Sequence, residues 1–176
     1  MQVLAEILAA SMMQEIKHRL VEESADKIKA CLQLLSEEEV WERPNDQVMS
    51  VGNQLLHLCG NVRQYIVSGA GGAEDTRTRQ AEFDERGPIA KAILLERIDQ
   101  TLSEVNATLD RLTPEQLTQV RPVQCYEMSA VAMIIHATEH FSYHVGQIVY
   151  YTKMIKGVDM KFYADQNLDA TDANDD

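Results

Sequence analysis

The strongest structural signal in the chain lies in residues 127–156, which read EMSAVAMIIHATEHFSYHVGQIVYYTKMIK and are followed by Gly157. Apolar side chains recur there at the period of an α-helix, about 3.6 residues. They form one stripe: Ile134, Ala137, Phe141, Val145, Ile148 and Ile155. A second stripe, about 100° further round the helix, consists of Met133, His136, His140, His144, Gln147 and Tyr151. The pattern predicts a helix from about Glu127 to Lys156 with a packing face and a polar face.

Three further segments have the same periodicity and predict helices over about 3–35, 50–67 and 88–112. The first carries a stripe of Ala9, Met13, Ile16, Leu20, Ser24, Ile28, Cys31 and Leu35. The third carries Ile89, Ile93, Leu94, Ile98, Leu102, Val105 and Leu109. Ser50 is a favoured N-cap, Ser36 suits the start of a short helix, and Thr113 with Gln116 has the form of a capping box. No strand pattern is evident, so the sequence predicts an all-α fold, and four helices of this length predict a four-helix bundle.

The chain is long enough for one domain, which we place at residues 1–163. Residues 164–176 form an acidic tail that is expected to be frayed. A polar, Arg- and Glu-rich segment, residues 69–87, separates the second and third predicted helices. We expect a long loop there, and loops of that length in compact domains are often lids or binding loops.

Charge and composition exclude several classes of protein. Lys and Arg number 16 against 28 Asp and Glu, a net charge of −12, and no basic patch is present, so nucleic-acid binding is disfavoured. No apolar run approaches the roughly 20 residues of a membrane span. Cys31, Cys59 and Cys125 are too few and too far apart for a disulfide framework or a zinc knuckle, so we expect three small buried residues in a reducing compartment. These features together predict a cytoplasmic protein.

Histidines are the side chains most suggestive of chemistry. His136, His140 and His144 are spaced by four residues, which places neighbours about 40° and about 6 Å apart on a helix. Two such imidazoles can hold one metal ion, so the pair is either His136 with His140 or His140 with His144. His57, on another helix, is the natural third ligand, whereas Cys59 points about 200° away from it. His18 lies opposite the apolar stripe of its helix and is expected to be solvated.

The spacing of these histidines leaves two interpretations open, a metal site or hydrogen-bonded structural residues. His57 shares its helix face with three polar residues, Asn53, Asn61 and Gln64. Such a face fits either the lining of an open cleft or plain solvent exposure.

Two stretches, Ser50–Leu58 and His140–Ile148, resemble the DinB-like family, which includes the YfiT-like metal-dependent hydrolases. The family pattern is one His on the second helix and a His-x3-His followed by x-Gly-Gln on the last long helix. Further similarity to an uncharacterised subfamily runs from His57 through Arg77, Arg79, Glu82 and Phe83, and again at 150–153 and 162–163.

The resemblance implies a bundle that is often dimeric and a divalent metal ion, zinc or nickel, held by His57, His140 and His144. His136 matches no ligand position, and Val145 stands where the family commonly has a basic or polar residue. Characterised relatives include transferases and isomerases that use low-molecular-weight thiols. We therefore expect a homodimer acting on a small-molecule substrate, with such a thiol as one candidate.

Three neutral ligands leave an open position on the ion, where a bound water or thiol is acidified. Asn61, Gln147 and Tyr151 are candidates for orienting the reacting groups, and no carboxylate base is evident. Thiolate attack needs no proton removed during attack, so a thiol transferase is favoured over a hydrolase. The alternatives are a non-catalytic metal-binding or stress-linked dimeric bundle, and a purely structural bundle.

Overall fold

A computed structural model describes residues 2–170, and most of these residues are helical. The N-terminal helical stretch consists of α1 (Gln2–Lys17), a π-helical segment (His18–Glu23) and α2 (Ser24–Leu34). After the short α3 (Glu37–Trp41), α4 (Val51–Val62) continues into a second π-helical segment, Arg63–Ala70. The remaining helices are α5 (Arg79–Asp84), α6 (Lys91–Leu109), α7 (Pro114–Thr118) and α8 (Ala130–Lys156). The prediction of a predominantly helical fold is confirmed.

Local sequence signals explain where several helices begin and end. Ser36 and Glu39 form a capping box at α3, and Thr113 and Gln116 form another at α7. The Ser50 side chain accepts a hydrogen bond from the Asn53 backbone N–H and caps α4. Helix α8 ends at Gly157, whose φ of 62° lies in the left-handed region that favours glycine. These predictions are confirmed.

A β-hairpin precedes α8, and the expectation that the chain has no strand is wrong there. Strand β1 (Val120–Val123) pairs antiparallel with β2 (Tyr126–Ser129) around a turn at Gln124, whose φ is 53°. Strands of four residues are too short for an alternating pattern to stand out, and Pro122 is unfavourable in a strand. Because residues up to Ser129 belong to the hairpin, α8 begins at Ala130 and not near Glu127.

The segment between the second π-helical segment and α6 is only partly a loop. It contains α5, which packs against α4, and α6 begins at Lys91, after the predicted start at Pro88. We call residues 71–90 the connecting segment. It covers the polar face of α4 and therefore helps to position the site described below.

The core lies between the long helices, with α8 packed against α2, α4 and the second π-helical segment. Ile28, Leu55, Leu102 and Phe141, one from each long stretch, are all at most 3% exposed. The predicted stripes are buried for the most part. Ile93 is an exception at 46% exposed, and Cys125, expected to be buried, is exposed.

No helix within residues 2–170 combines the length and the apolarity needed to span a bilayer. Residues 164–170 of the acidic tail are exposed and form turns. The rest of the predicted tail, residues 171–176, lies outside the described residues.

Candidate metal centre

Three histidines converge where α4 packs against α8. His57 comes from α4, and His140 and His144 come from successive turns of α8. One ring nitrogen from each lies within 4.8 Å of the other two, and Nε2 of His57 is 3.2 Å from Nε2 of His140. His57 and His144 are buried, and His140 is half-buried. We call these residues the three-His cluster.

The other two histidines lie outside this cluster. The ring of His136 packs on Tyr65, with centroids 4.5 Å apart, and stands 5.9 Å from the ring of His140. His18 is exposed and contacts Glu22 at 3.0 Å. Of the two pairs that the spacing allowed on α8, the structure brings His140 and His144 together with His57.

The geometry of the cluster suits a tetrahedral ion. Zn–N bonds of about 2.0–2.1 Å set two ligand nitrogens about 3.3 Å apart, close to the 3.2 Å between His57 and His140. Histidines that bind metal usually donate their second ring N–H to an acceptor. Nδ1 of His57 is 2.8 Å from Glu82 Oε2, and Nδ1 of His144 is 3.4 Å from Gln54 Oε1. Nδ1 of His140 is buried without a partner.

Two of the imidazoles are held in the neutral form that binds metal. Burial lowers the pKa of His140 to about 3, and the neighbouring His144 and His57 contribute to the shift. Burial and the neighbouring His57 lower the pKa of His144 to about 4, although a hydrogen bond with Gln147 opposes this. Since a metal competes with protons for the ring nitrogens, neutral imidazoles near pH 7 favour metal binding.

Glu82 is the main site residue that the sequence analysis missed. It is buried, lies on α5, and receives a bidentate ion pair from Arg77: Nε to Oε1 at 2.7 Å and Nη2 to Oε2 at 2.8 Å. Burial raises the pKa of Glu82, but the hydrogen bonds from Arg77 and His57 outweigh it and hold the pKa below its usual range. A carboxylate therefore lies beside the site, where the sequence analysis had found no candidate for a carboxylate base. Glu82 contacts the ring nitrogen of His57 that faces away from His140.

A glycine makes room for this ion pair. A Cβ placed on Gly60 would lie 1.9 Å from Glu82 Oε1 and 2.9 Å from Arg77 Nε. Gly60 is three residues after His57 on α4, so one helix supplies both the histidine and the space for the carboxylate beside it. A glycine inside a predicted helix was the signal that could have indicated a close approach at this position.

The polar face of α4 lies beneath the connecting segment. The Asn53 side-chain N–H donates to the carbonyls of Glu82 and Glu85, both at 2.9 Å. The Gln64 carbonyl oxygen accepts from Arg77 at 2.8 Å and from Gln124 at 2.6 Å. Neither an open cleft nor solvent exposure, the two sequence interpretations, describes this face, because its side chains are buried.

The three candidates for orienting substrate are placed differently. Gln147 and Tyr151 line a cavity of about 670 Å³ that also reaches His144 and Gln54. Asn61 is buried, its Oδ1 has no hydrogen-bond partner, and it is not among the residues that line this cavity. A second cavity, of about 660 Å³, borders His140 and His136 and shares Tyr143 and Gly146 with the first.

Two further residues are placed away from the site. Val145 is 4% exposed and belongs to the core. Cys59 lies outside the three-His cluster, and burial raises the pKa of its thiol to about 11.

The family of the chain follows from a match over residues 8–164 to the profile of a protein family of unknown function, DUF1572. The chain belongs to this family. No curated protein matches it significantly.

Solved structures show that this DUF1572 member has a DinB-like fold. A DinB-like protein from Bacillus subtilis is 18% identical, with a TM-score of 0.63, and the match covers 85% of this chain and 97% of that one. A conserved protein from Enterococcus faecalis is 16% identical, with a TM-score of 0.67, and the match covers 82% of this chain and 97% of that one. At these identities the likeness concerns the fold alone.

Proposed function

We propose that this DUF1572 protein is a DinB-like four-helix bundle that binds one divalent ion, zinc or nickel, through His57, His140 and His144. We further propose that it is a metal-dependent enzyme acting on a small molecule. The observation that carries the proposal is the convergence of three ring nitrogens within 4.8 Å, supplied by two helices. Three neutral ligands with cavities beside them are typical of catalytic and not structural metal sites.

The surrounding residues prepare the cluster for this role. Glu82 accepts the Nδ1–H of His57 and so directs the Nε2 lone pair of His57 toward His140. Gln54 has the same relation to His144, at the longer distance of 3.4 Å. Arg77 compensates the buried charge of Glu82, which keeps the carboxylate ionised beside the imidazole.

A bound divalent ion would acidify a water or thiol at its open position. We favour transfer of a low-molecular-weight thiol over hydrolysis, because the side chains that hydrogen-bond His144 are the neutral amides of Gln54 and Gln147. Glu42 lines the same cavity but is not among these partners of His144. Glu82 lies behind His57 and has no access to a reacting group at the open position. Amide hydrolysis requires a proton donor for the leaving amine, whereas thiolate attack does not.

Metal analysis of untagged protein tests the metal site. We expect one equivalent of zinc or nickel per chain in the wild type and none in His140→Ala. His136→Ala is the matched control, because it removes a neighbouring imidazole outside the cluster and should keep the metal. An undiminished metal content in His140→Ala would overturn the proposal. If His136→Ala lost the metal and His144→Ala kept it, the ligands on α8 would be His136 and His140, one helical turn earlier.

The chemistry is tested by incubating metal-loaded protein with a set of thiols and a chromogenic electrophile. Metal-dependent transfer that is lost in His140→Ala is the expected result. If the variant equals the wild type with every thiol, while only the metal form cleaves esters or amides, the enzyme is a hydrolase. Full metal occupancy without turnover in either assay would favour the alternative of a non-catalytic metal-binding bundle.

We also propose a homodimer. The first turns of α1 leave four large apolar side chains between 60% and 71% exposed: Val3, Leu4, Ile7 and Leu8. Monomeric proteins rarely leave such a contiguous apolar face in water, so a second copy of this chain is the natural cover for it.

A further inference from the structure

The larger of the two cavities beside the three-His cluster has a distinctive composition. It lies between α8 and the chain that leads into α4, and encloses about 670 Å³, within the range of small-molecule sites. Three tyrosines from α8 line it, namely Tyr143, Tyr150 and Tyr151. Pro44, Val48, Met49, Val51 and Met154 add an apolar wall. We call it the tyrosine cavity.

Large apolar side chains remain uncovered around this concave surface. Tyr150 is 71% exposed, Tyr143 65%, Met154 56% and Val48 38%. Beside them Gly146 presents open space, because a Cβ built on it has no atom within 4 Å. Aromatic rings in these positions suit stacking on a flat apolar ligand.

The polar groups of the cavity converge on His144. Gln54 and Gln147 line the cavity next to it, and Gln54 contacts its Nδ1. The hydroxyl of Tyr151 is buried and makes no hydrogen bond of good geometry, although the Glu42 carboxylate lies near it. Burial raises the pKa of Tyr151, and the nearby Glu42 and Glu39 raise it further, so the hydroxyl keeps its proton. A buried hydroxyl of this kind lacks an acceptor that a ligand can supply.

Charge restricts the class of ligand. Among the residues that line the tyrosine cavity the charged one is Glu42, and neither lysine nor arginine is among them. The chain as a whole carries a net charge of −12. An anionic ligand would lose its hydration without gaining a cationic partner among the side chains of the cavity.

We propose that the tyrosine cavity binds an uncharged aromatic molecule with a hydrogen-bond acceptor, and that the ligand lies against His144 with its acceptor on the Tyr151 hydroxyl. The inference rests on the proposed function in one respect: this molecule would be the electrophile of the proposed reaction. In that reaction the thiol loses its proton to solvent, its sulfur forms a bond to a carbon of the molecule, and a leaving group departs from that carbon with the electron pair of the broken bond. Binding of the molecule, however, does not require the ion, because the cavity is lined by this chain's own side chains.

Fluorescence titration with two naphthyl probes tests the proposal. Prodan is an uncharged ketone, and anilinonaphthalene sulfonate is anionic and of similar size. We expect prodan to bind once per chain and at least about tenfold more tightly than the sulfonate. Equal affinity for the two probes, or binding of the sulfonate alone, would overturn the assignment of an uncharged ligand.

Two substitutions locate the probe. Gly146→Leu fills open space on a helix and should weaken prodan binding at least about tenfold, with an unchanged circular dichroism spectrum. Tyr151→Phe removes only the hydroxyl and should weaken it about twofold to tenfold. Tyr126→Phe, an exposed tyrosine in β2, is the matched control and should have no effect. If neither cavity substitution changes the affinity for prodan, the proposal would be overturned.

The metal-free variant His140→Ala separates this inference from the proposed function. His140 does not line the tyrosine cavity, so prodan should bind this variant as it binds the wild type. If the wild type holds no metal but binds prodan with the expected affinity and response to the cavity substitutions, the metal enzyme would be refuted and the cavity assignment would stand. If the wild type holds one metal ion per chain but Gly146→Leu does not change the affinity for prodan, the cavity assignment alone would be refuted.

Discussion

Glu82 affects the candidate metal centre through His57, because its carboxylate orients that imidazole and is itself held by Arg77. Glu82→Gln keeps the shape but removes the charge. We expect zinc affinity to fall about tenfold to a hundredfold, as is typical when the partner of a metal-binding histidine is changed. Competition with a fluorescent chelator measures this. Gln80→Glu, on the exposed side of α5, is the control, and wild-type affinity in Glu82→Gln would contradict the role given to this carboxylate.

The depressed pKa values of His140 and His144 predict how stability depends on pH. In the unfolded chain both imidazoles take up a proton near pH 6.5, about the ordinary histidine value. In the fold they stay neutral down to about pH 4 for His144 and about pH 3 for His140. The unfolded chain therefore binds more protons across this window, and the free energy of unfolding falls as the pH falls below about 6.5.

Urea denaturation of metal-free protein between about pH 7.5 and about pH 5 checks this dependence. The midpoint should decrease toward acid in the wild type and decrease less in His140→Ala. His18→Ala, which removes an exposed imidazole, should follow the wild type. A midpoint that is independent of pH, or an equal slope in His140→Ala, would contradict the assignment.

At the scale of elements, α4 and the connecting segment depend on each other through Gly60. Gly60→Ala should raise helix propensity by about 1 kcal/mol. The added methyl group would nevertheless occupy the position of the Glu82 carboxylate. We expect α5 to be displaced, which should weaken zinc binding and increase tryptic cleavage at Arg77 and Arg79. Gly146→Ala is the matched control, since its Cβ meets no atom. An unchanged rate of proteolysis in Gly60→Ala would show that the fold accommodates the methyl group without displacing α5.

The elements also show what the sequence can and cannot predict. Helix periodicity and caps predicted the long helices, because stripes such as Ile134 to Ile148 repeat over several turns. His57 was named as the third ligand from the residues themselves. The choice of His140 with His144 over His136 with His140 came from a family resemblance, since helix spacing alone left two pairs open. The hairpin was missed because its strands have four residues each. Glu82 was missed because its contact with His57 joins residues 25 positions apart. Gly60 indicates that something approaches α4 closely, but not which side chain does so.

At the scale of the whole molecule, the exposed face of α1 predicts the oligomeric state. Leu4→Glu combined with Ile7→Glu should convert a dimer to a monomer, because two carboxylates per chain would be buried against their copies. Light scattering after size exclusion measures the mass. Ile93→Glu, at a side chain 46% exposed on α6, is the control and should remain dimeric. A wild type that is monomeric at high concentration would contradict the homodimer.

Side chains separate the three-His cluster from the cavity on one side, whereas two cavities border its histidines directly on the other. A bound ion would therefore enter and leave on the side of these two cavities. Glu82 and Arg77 separate His57 from a third cavity, of about 530 Å³, which they line. The Phe83 ring packs against the imidazole with centroids 5.0 Å apart. The two cavities meet at Tyr143 and Gly146, next to His140 and His144. A chelator and a substrate would consequently reach the ion through the same opening. A molecule that occupies the tyrosine cavity would therefore slow removal of the metal by a chelator, although it strengthens none of the metal–ligand bonds.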